Sequence, residues 1–311
     1  MKVLILGHTG FVGSNVLKFF RNNNIDCKGA SRASGVDLRD SVSLQVILKD
    51  YTPNIIVNCA AHVGSLNYVT EFSADVINNN TKLILSLYEA VSLIDPTITI
   101  INPVANCGYP GESLIYKEAE WLNGPVHKSV LSYGSTRRLL VAFSDCYKTQ
   151  YNINSINLFV PNMYGENDST DPNKAHALNA LISKFVKAHK NEIGEIDIWG
   201  TGNVIREWLY VQDFVKIVYK IVANKELQEK IIHPLNVAQN SGLSIKELAD
   251  LINKNYNNSF LLKYDVSKPD GAPKKVMDDT KFKPIFADFI FENFETGIKN
   301  TINYYESIHP Y

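Results

Sequence analysis

The sequence lacks any apolar run approaching the ~20 residues that a membrane-spanning helix needs, so no transmembrane segment is expected. It also lacks, near its first residue, a basic stretch followed by an apolar one, so we expect no secretory signal peptide and a cytoplasmic location. At 311 residues, 45% hydrophobic and 20% charged, the chain is long enough for one large globular domain or two linked ones.

Net charge and paired cysteines are equally scarce. The formal net charge is −1 at pH 7, which favours neither nucleic acid nor an anionic membrane surface as a partner. The four cysteines, Cys27, Cys59, Cys107 and Cys146, show no C-x-x-C spacing. This argues against a disulfide framework and a structural zinc, so no metal is expected. Cys59 stands in an apolar run and is expected to be a small core residue.

The most informative segment lies close to the first residue. Val3–Leu6 resembles a buried strand, Gly7, Gly10 and Gly13 follow at G-x-x-G-x-x-G spacing, and Asn15–Phe20 has the apolar face of a helix. Such a turn brings backbone N–H groups against a pyrophosphate, because its glycines permit the turn, leave room for the phosphates and let the helix pack closely. The alternative is a turn without a ligand. The dinucleotide residues predicted here are Gly7, Thr9, Gly10, Phe11, Val12 and Gly13.

Strands and helices alternate through the first half of the chain. The strand-like runs are Val3–Leu6, Ile55–Asn58, Ile98–Ile101, Ser155–Phe159 and a weaker one at Cys27–Ala30, with helices such as Thr81–Leu93 and Arg137–Tyr147 between them. This rhythm predicts a Rossmann-type α/β fold, a doubly wound parallel sheet covered on both faces.

The rhythm breaks after about residue 160. Pro161, Asn162, Gly165 and the run from Asn167 are typical of loop, Ala175–Lys190 is helical, and a capping box at Ser244 begins a helix over Ile245–Asn255 (all read from the sequence). We predict a dinucleotide-binding domain over 1–160, to which 206–240 returns. Residues 161–205 and 241–311 would then form a smaller C-terminal α/β lobe that binds the substrate.

The residues after the second strand bear on the identity of the dinucleotide. NAD sites place a carboxylate there to accept hydrogen bonds from the ribose, whereas this chain has Ser31 and Arg32. A cation and a hydroxyl suit a 2′-phosphate, so NADP is expected, with NAD as the alternative. Arg32 would otherwise be a solvated surface charge. Asp37 and Leu38 come next and are expected near the adenine.

Tyr133 is followed four residues later by Arg137, which puts both side chains on one face of a helix. A cation there lowers the pKa of the phenol and can hold the nicotinamide ribose, so that the tyrosine exchanges a proton with an alcohol or carbonyl. The pair resembles the Tyr-x-x-x-Lys of extended short-chain dehydrogenases/reductases. Further matches to that superfamily are Asn58-Cys-Ala-Ala61, which puts Ala60 and Ala61 at the cofactor, and Asn79 or Asn80.

Seven segments then resemble the GDP-L-fucose synthase family in particular. They are Ala60–Gly64, Cys107–Pro110, Asn162–Asp168, His176–Leu181, Ile198–Gly202, Arg206–Val211 and Ser267–Pro273. Enzymes of that family use NADPH, epimerise C3 and C5 of a GDP-4-keto-6-deoxy-mannose and reduce C4 by hydride transfer. Seven matches in one order are more specific than the glycine loop alone.

The resemblance implies roles for particular side chains. Cys107 and His176 fall on the epimerisation base and acid, which remove a proton from one face of a carbon next to a ketone and return one to the other. Tyr133 falls on the proton donor for ketone reduction. The implied substrate contacts are Arg206 and Lys268 near the diphosphate, together with Asn162, Trp199 and Asp270.

Each of these residues also has a purely structural interpretation. Cys107 would be a small buried residue, and His176 a helix-face histidine bonded to backbone. Trp199 and Tyr210 would be core residues. Arg206 and Glu207 would form a surface ion pair of little energetic value.

Three positions depart from the family pattern. Ala105 replaces a serine that hydrogen-bonds the reacting oxygen, and the amide of Asn106 is expected to substitute for it. Arg137 stands where the family has a lysine. Arginine keeps the charge but cannot take part in a proton relay. Thr9 stands where the family often has a basic residue near the 2′-phosphate.

The sequence thus predicts an NADP(H)-dependent epimerase/reductase of a GDP-4-keto sugar. One alternative is a single-activity epimerase or C4 reductase on another GDP-hexose or heptose, and a second is a nucleotide-sugar-binding protein with attenuated catalysis. The superfamily resemblance also implies a homodimer, formed by pairing of the helices Thr81–Leu93 and Arg137–Tyr147 into a four-helix bundle.

Overall fold

The computed structural model describes residues 1–171, 174–231, 234–268, 270 and 273–311. The strands are β1 (Lys2–Leu6), β2 (Asp26–Ala30), β3 (Ile55–Asn58), β4 (Thr99–Ala105), β5 (Ile115–Tyr116), β6 (Ser155–Val160), β7 (Asn162–Tyr164), β8 (Glu195–Trp199), β9 (Ile205–Arg206), β10 (Trp208–Tyr210), β11 (Leu235–Asn236), β12 (Leu243–Ser244), β13 (Leu261–Asp265) and β14 (Lys274–Met277). The helices are α1 (Phe11–Asn22), α2 (Ser41–Tyr51), α3 (Leu66–Glu71), α4 (Ser73–Ile94), α5 (Leu131–Tyr151), α6 (Ala177–Lys190), α7 (Val211–Ala223), α8 (Lys225–Lys230), α9 (Ile245–Lys254), α10 (Phe282–Ile285) and α11 (Phe294–Ile308).

The main sheet is parallel throughout, in the order β11-β6-β4-β3-β1-β2 among the described residues. Its register places Leu6 opposite Ala30 on one side and Asn58 on the other. Because parallel strands end at one edge of the sheet, the residues that follow β1, β2 and β3 emerge side by side. Ligands of such sheets bind at that edge.

Both faces of the sheet are buried, which explains why its strands are apolar runs rather than alternating patterns. Leu4 and Leu6 belong to the core formed with α2, α4 and α5, whereas Val3 and Ile5 belong to the core formed with α1 and α7. Successive side chains of one strand therefore enter opposite cores. This architecture confirms the predicted doubly wound Rossmann-type fold.

A smaller lobe follows the main sheet. Helices α6, α9 and α11 enclose a third core with strands β8 and β10, and that core includes the buried rings of Phe185 and Tyr305. Strand β13 pairs with β8, and β12, β9, β14 and β5 form a separate small sheet. Helix α7 and strand β11 instead pack on the main sheet, so the chain crosses between the two lobes more than once.

Local signals place some boundaries well and others poorly. Ser244 caps α9 as predicted, because its Oγ accepts a hydrogen bond from the Glu247 N–H (3.1 Å) while Glu247 accepts one from the Ser244 N–H (2.7 Å). The prediction of loop at Asn162 is wrong: this residue begins β7, which pairs in parallel with β10. A three-residue strand carries no periodic pattern, so only its distant partner defines it.

Helices α4 and α5 extend further than the sequence pattern indicated, beginning at Ser73 and Leu131 rather than at Thr81 and Arg137. Their first turns are polar or lack a capping side chain, which explains the late predicted starts. Across the described part of the chain, none of the helices combines the length and the apolar character needed to cross a bilayer.

Candidate active site

The glycine turn after β1 has the geometry of a phosphate cradle. Gly7 has φ +73°, and its N–H donates to the Ala30 carbonyl (2.9 Å). A Cβ at Gly13 would lie 2.3 Å from the Gly7 carbonyl oxygen, so close packing of α1 requires glycine there. Gly10 caps α1 without a side-chain bond, and the described first turn of α1 carries no acidic residue. The N–H groups of the first turn of α1 are directed at the edge of the sheet, where they can bind an anion.

A cavity of about 440 Å³ lies beside this turn. The predicted cofactor residues that line it are Gly7, Thr9, Gly10, Ser31, Arg32, Asp37, Leu38, Ala60 and Ala61. Phe11, Val12 and Gly13 do not line it, because they lie within α1. Cys59 is half-buried: it packs against the core formed with α1 and α7, as predicted, and it also lines the cavity. Among the described residues, the buried Ser31 hydroxyl has no hydrogen-bond partner, as expected where a polar ligand group completes the site.

Arg39, which sequence reasoning missed, also lines this cavity. Its guanidinium donates to both carboxylate oxygens of Asp37 (3.0 and 2.7 Å) and to the side-chain oxygen of Asn79 on α4 (2.9 Å). These hydrogen bonds lower the pKa of Asp37 to about 2. The Asp-x-Arg spacing after the second strand was the available signal.

Tyr133 and Arg137 meet on one face of α5, as their spacing predicts. The guanidinium carbon of Arg137 lies 4.7 Å from the Tyr133 ring centroid. Arg137 is only 4% exposed and donates to the Asn80 side-chain oxygen (3.0 Å), while the Asn80 amide donates to the His62 carbonyl (2.7 Å). Among the described residues, Arg137 Nε has no partner, which leaves one donor for a ligand.

Arg137 lowers the pKa of Tyr133 as expected, but burial outweighs this effect. Burial raises the pKa of Tyr133 above its usual value of 10, and the opposing effect of Arg137 is smaller. The phenol is therefore protonated at neutral pH and is a proton donor. In this site Arg137 limits the rise in pKa and does not produce a phenolate.

Cys107 occupies a 3₁₀ turn (Asn106–Gly108) directly after β4. A Cβ at Gly134 would lie 2.6 Å from the Cys107 carbonyl oxygen, so the start of α5 packs tightly on this turn. Burial raises the pKa of Cys107 to about 11, against the lowering effect of the positive charges of Arg137 and Lys275. Asn106 is buried beside Cys107, next to the predicted departure at Ala105.

Lys275 is a second residue that the sequence analysis missed. It lies on β14 opposite Arg206 of β9, which puts two cations side by side. Burial lowers the pKa of Lys275, and the charge of Arg206 lowers it further, while Cys107 acts in the opposite direction. Burial likewise lowers the pKa of Arg206, against the effect of nearby Tyr116. Two half-buried cations near a cysteine form a site for an anionic substrate group.

His176 stands at the N-terminus of α6, and its partner is Asp168. The imidazole Nδ1 lies 3.1 Å from each carboxylate oxygen, and the His176 N–H donates to Asp168 Oδ2 (2.8 Å). Burial lowers the pKa of His176, but the hydrogen bond and charge of Asp168 raise it, with a net increase over 6.5. Asp168 is 6% exposed, so a buried carboxylate orients the ring. The alternative, in which the imidazole bonds the backbone, is therefore wrong.

A second cavity of about 680 Å³, lined mainly by apolar side chains of α6 and β8, opens in the smaller lobe. Trp199 lines it and is 61% exposed, so it is not a core residue, whereas Tyr210 is buried. Lys268 Nζ lies 5.7 Å from the Trp199 ring centroid, which brings these two predicted residues together. An exposed indole beside a lysine suits a flat, anionic ligand.

The remaining predicted substrate residues, Asn162, Arg206 and Asp270, do not line that cavity. Both carboxylate oxygens of Asp270 accept hydrogen bonds from Thr201 (2.7 Å each), so Asp270 holds the 201 turn. Asn162 lies at the start of β7. Glu207 does not pair with Arg206: it is 1% exposed and accepts from the backbone N–H groups of Gln239 and Met277. The surface ion pair is therefore excluded.

Comparison with known proteins agrees with this geometry. The sequence profile of the NAD dependent epimerase/dehydratase family matches residues 3–238. A GDP-L-fucose synthase of Azorhizobium caulinodans is 28% identical over 98% of this chain and 96% of its own. A GDP-6-OMe-4-keto-L-xylo-heptose reductase of C. jejuni has a TM-score of 0.87 at 21% identity, over 98% of this chain and 97% of its own. A GDP-L-fucose synthetase of Naegleria fowleri bound to NADP has a TM-score of 0.83 at 22% identity, over 98% and 93%.

The resemblance predicted from seven sequence segments is thereby confirmed. A cradle after β1, a cavity lined by the residues that follow β2 and β3, and a tyrosine–cation pair on α5 are the parts that an NAD(P)-dependent enzyme of this kind requires. Together with the profile match over three quarters of its length, they show that the chain is an enzyme of the NAD dependent epimerase/dehydratase family.

Proposed function

We propose that the protein is an NADP(H)-dependent epimerase/reductase that acts on a GDP-linked 4-keto sugar. The observation that carries this proposal is the joint placement of Tyr133 and Cys107 around one buried cation, Arg137. A proton donor for a ketone oxygen and a thiol for carbon acid chemistry then face the same region. Their common position fits a substrate whose ketone is both the activating group for epimerisation and the group that is reduced.

In the reduction, Tyr133 gives its proton to the ketone oxygen. When bound, NADPH supplies the hydride to the carbonyl carbon. Tyr133 begins as a protonated phenol because burial raises its pKa. The charge of Arg137 stabilises the phenolate that remains, and its unpartnered Nε is placed to hold the nicotinamide ribose.

In the epimerisation, the carbon next to the ketone loses a proton to Cys107 and regains one from His176. The thiolate needed for proton removal is favoured by the positive charges of Arg137 and Lys275. The imidazolium needed for proton return is favoured by Asp168. After one epimerisation Cys107 is a neutral thiol and His176 is a neutral imidazole. A second epimerisation therefore requires proton exchange with solvent.

The substrate's diphosphate fits the cations of the smaller lobe. Lys275 and Arg206 lie on neighbouring strands, and Lys268 lies near the exposed ring of Trp199. Cations of this density suit a diphosphate, and the indole and the apolar cavity suit a purine base. The name of the A. caulinodans relative supports GDP as the nucleotide, and the NADP bound to the N. fowleri protein supports NADP(H) as the cofactor.

A nucleotide-sugar-binding protein with attenuated catalysis is the second candidate, and Ala105 favours it. In the family, a serine at this position hydrogen-bonds the reacting oxygen, and alanine has no donor. A C4 reductase on another GDP-sugar is a further alternative, because the C. jejuni protein of the same fold is named a heptose reductase.

The deciding experiment uses purified protein with NADPH and GDP-4-keto-6-deoxy-mannose in heavy water. Oxidation of NADPH with deuterium at C3 and C5 supports the two-step enzyme. NADPH oxidation without deuterium supports the reductase, and deuterium uptake without NADPH oxidation supports an epimerase. Tight binding of both ligands with neither signal supports a binding protein and contradicts our proposal.

Two variants assign the steps to their residues. Cys107→Ser is expected to abolish deuterium uptake while the dinucleotide affinity stays unchanged, whereas Tyr133→Phe is expected to abolish NADPH oxidation and preserve deuterium uptake. The exposed Cys146 on α5 provides the matched control, since Cys146→Ser removes a thiol far from the turn at Cys107. Unchanged deuterium uptake in Cys107→Ser would contradict the role of this residue.

We also propose a homodimer that pairs α4 and α5 of two chains. The support is that α4 carries Leu85 and Leu93 with 46% and 63% of their surface exposed, beside partly buried apolar residues of α5. Leu85→Glu is expected to convert the dimer to monomer in light scattering. Ile290→Glu, at an 87% exposed site elsewhere, is the control that keeps the dimer. A monomeric wild-type protein would exclude the proposal.

A further inference from the structure

The cavity beside the glycine turn contains two arginines with different surroundings. Arg32 makes no ion pair among the described residues and presents its charge to the cavity. Arg39 is paired: its Nε and one NH₂ group donate to the two oxygens of Asp37 (3.0 and 2.7 Å). The remaining NH₂ group donates to Asn79 on α4 (2.9 Å). All four residues line the same cavity.

The pairing changes what Asp37 can do. Ser31 and Arg32 occupy the position of the ribose-binding carboxylate of NAD sites, so Asp37 acts on the dinucleotide through its charge: an unpaired carboxylate in this cavity repels a 2′-phosphate. Here the bidentate contact occupies both carboxylate oxygens and balances their charge. The contact to Asn79 fixes the guanidinium between the segment after β2 and α4, so that the pair does not depend on a freely rotating surface side chain.

We propose that Arg39 is a specificity-determining residue for the dinucleotide, because it neutralises Asp37 and leaves Arg32 as the net positive charge of the cavity. A 2′-phosphate then meets Arg32 without an opposing carboxylate. This inference rests on the dinucleotide site of the proposed function and not on the sugar chemistry. It also accounts for Thr9, which supplies no cation where the family often has one.

The test is direct titration of NADPH and NADH into the protein, followed by fluorescence of the reduced cofactor or by calorimetry. Arg39→Leu frees the Asp37 carboxylate. We expect the affinity for NADPH to fall by roughly three- to tenfold and the affinity for NADH to change little, because the freed carboxylate is partly solvated and acts only on the 2′-phosphate. The change in the NADPH-to-NADH ratio should shrink at high salt.

A second variant separates this effect from simple loss of structure. Arg39→Leu combined with Asp37→Asn removes both charges, and we expect it to recover most of the NADPH affinity. Arg32→Leu is the matched control: it should weaken NADPH binding without improving NADH binding, and Asp37→Asn should not rescue it. Thermal unfolding of each variant checks that the fold is retained.

The outcomes distinguish this inference from the proposed function. An unchanged NADPH-to-NADH ratio in Arg39→Leu, a wild-type preference for NADH, or a double variant no better than Arg39→Leu would overturn the role of Arg39 alone. A wild-type protein that binds neither dinucleotide would overturn the proposed function itself, and this inference with it.

Discussion

The centroid of the Phe11 ring lies 5.2 Å from the centroid of the His176 imidazole, and the two ring planes are inclined at 47°. Phe11 is the first residue of the helix that faces the phosphate site. One turn later, the Asn15 amide donates to the Glu166 carbonyl (2.8 Å), and its oxygen accepts from the Asn167 amide (3.1 Å). Helix α1 therefore supports the ring and the loop that orients it, so the proposed cofactor site and the proposed proton donor share one wall.

Asp168→Asn tests the dependence of His176 on its carboxylate. The carboxylate raises the pKa of His176, so its removal is expected to lower that pKa. In a bell-shaped pH profile the acid limb follows the lower of the two pKa values, which belongs to His176, since the pKa of Cys107 is about 11. The acid limb of deuterium exchange should therefore move to lower pH. An unmoved limb with an intact fold would exclude His176 as the group that sets it.

Arg137→Met tests the cation beside Tyr133. Loss of the charge removes the effect of Arg137 that favours the phenolate, so we expect the rate constant of NADPH oxidation to fall by roughly a hundredfold. Arg137→Lys restores the family residue and should retain most of the rate, because the charge remains within reach of the ring. Single-turnover kinetics provides the measurement. Equal rates for Arg137→Met and the wild-type protein would contradict the role.

Gly13→Ala tests the cradle. Its Cβ would stand 2.3 Å from the Gly7 carbonyl oxygen, a backbone atom that cannot yield without moving the turn. We expect a loss of about 1–3 kcal/mol in the free energy of unfolding and loss of dinucleotide binding. Gly194→Ala is the control, because no atom of the described residues beyond its chain neighbours lies within 4 Å of the Cβ there. Dinucleotide titration and chemical denaturation of both variants decide the matter.

Glu207→Gln tests a buried carboxyl in the smaller lobe. Burial raises the pKa of Glu207 from 4.5 to about 7, despite its backbone hydrogen bonds. The folded protein then binds more protons than the unfolded chain between these values, so its stability should fall as pH rises through that window, by about 3 kcal/mol in total. Glu207→Gln should remove this slope. The exposed Glu195→Gln should preserve it, and a wild-type protein without the slope would contradict the assignment.

Local patterns predicted the parts of the site that lie within a few residues of each other. The glycine turn and the pair Tyr133 and Arg137 are of this kind, because the turn and the helix repeat fix their geometry. The partner of Lys275 is Arg206, almost seventy positions away, and only the pairing of β14 with β9 brings them together. The motif at Arg206 was therefore visible in the sequence, whereas nothing near Lys275 along the chain indicated its role.

Motif spacing also did not predict how deeply each side chain is buried or which residues surround it. Arg137 lowers the pKa of Tyr133 as expected, yet the larger effect of burial reverses the net direction. The motif predicts that Asp270 contacts the substrate, and the structure adds a contact that the motif does not show, since Thr201 donates hydrogen bonds to both of its oxygens. Such outcomes depend on what surrounds a side chain in three dimensions, which spacing along the chain does not encode.

Two consecutive asparagines of α4 each accept a hydrogen bond from one arginine, and these arginines lie at opposite ends of the cofactor site. Asn79 binds Arg39, at the end assigned to the adenosine, and Asn80 binds Arg137, at the end assigned to the nicotinamide. Helix α4 thus fixes the distance between the two arginines and, with it, the length of dinucleotide that the site can bind. Insertion of a single residue upstream would rotate both amides by roughly 100° and release the two arginines together.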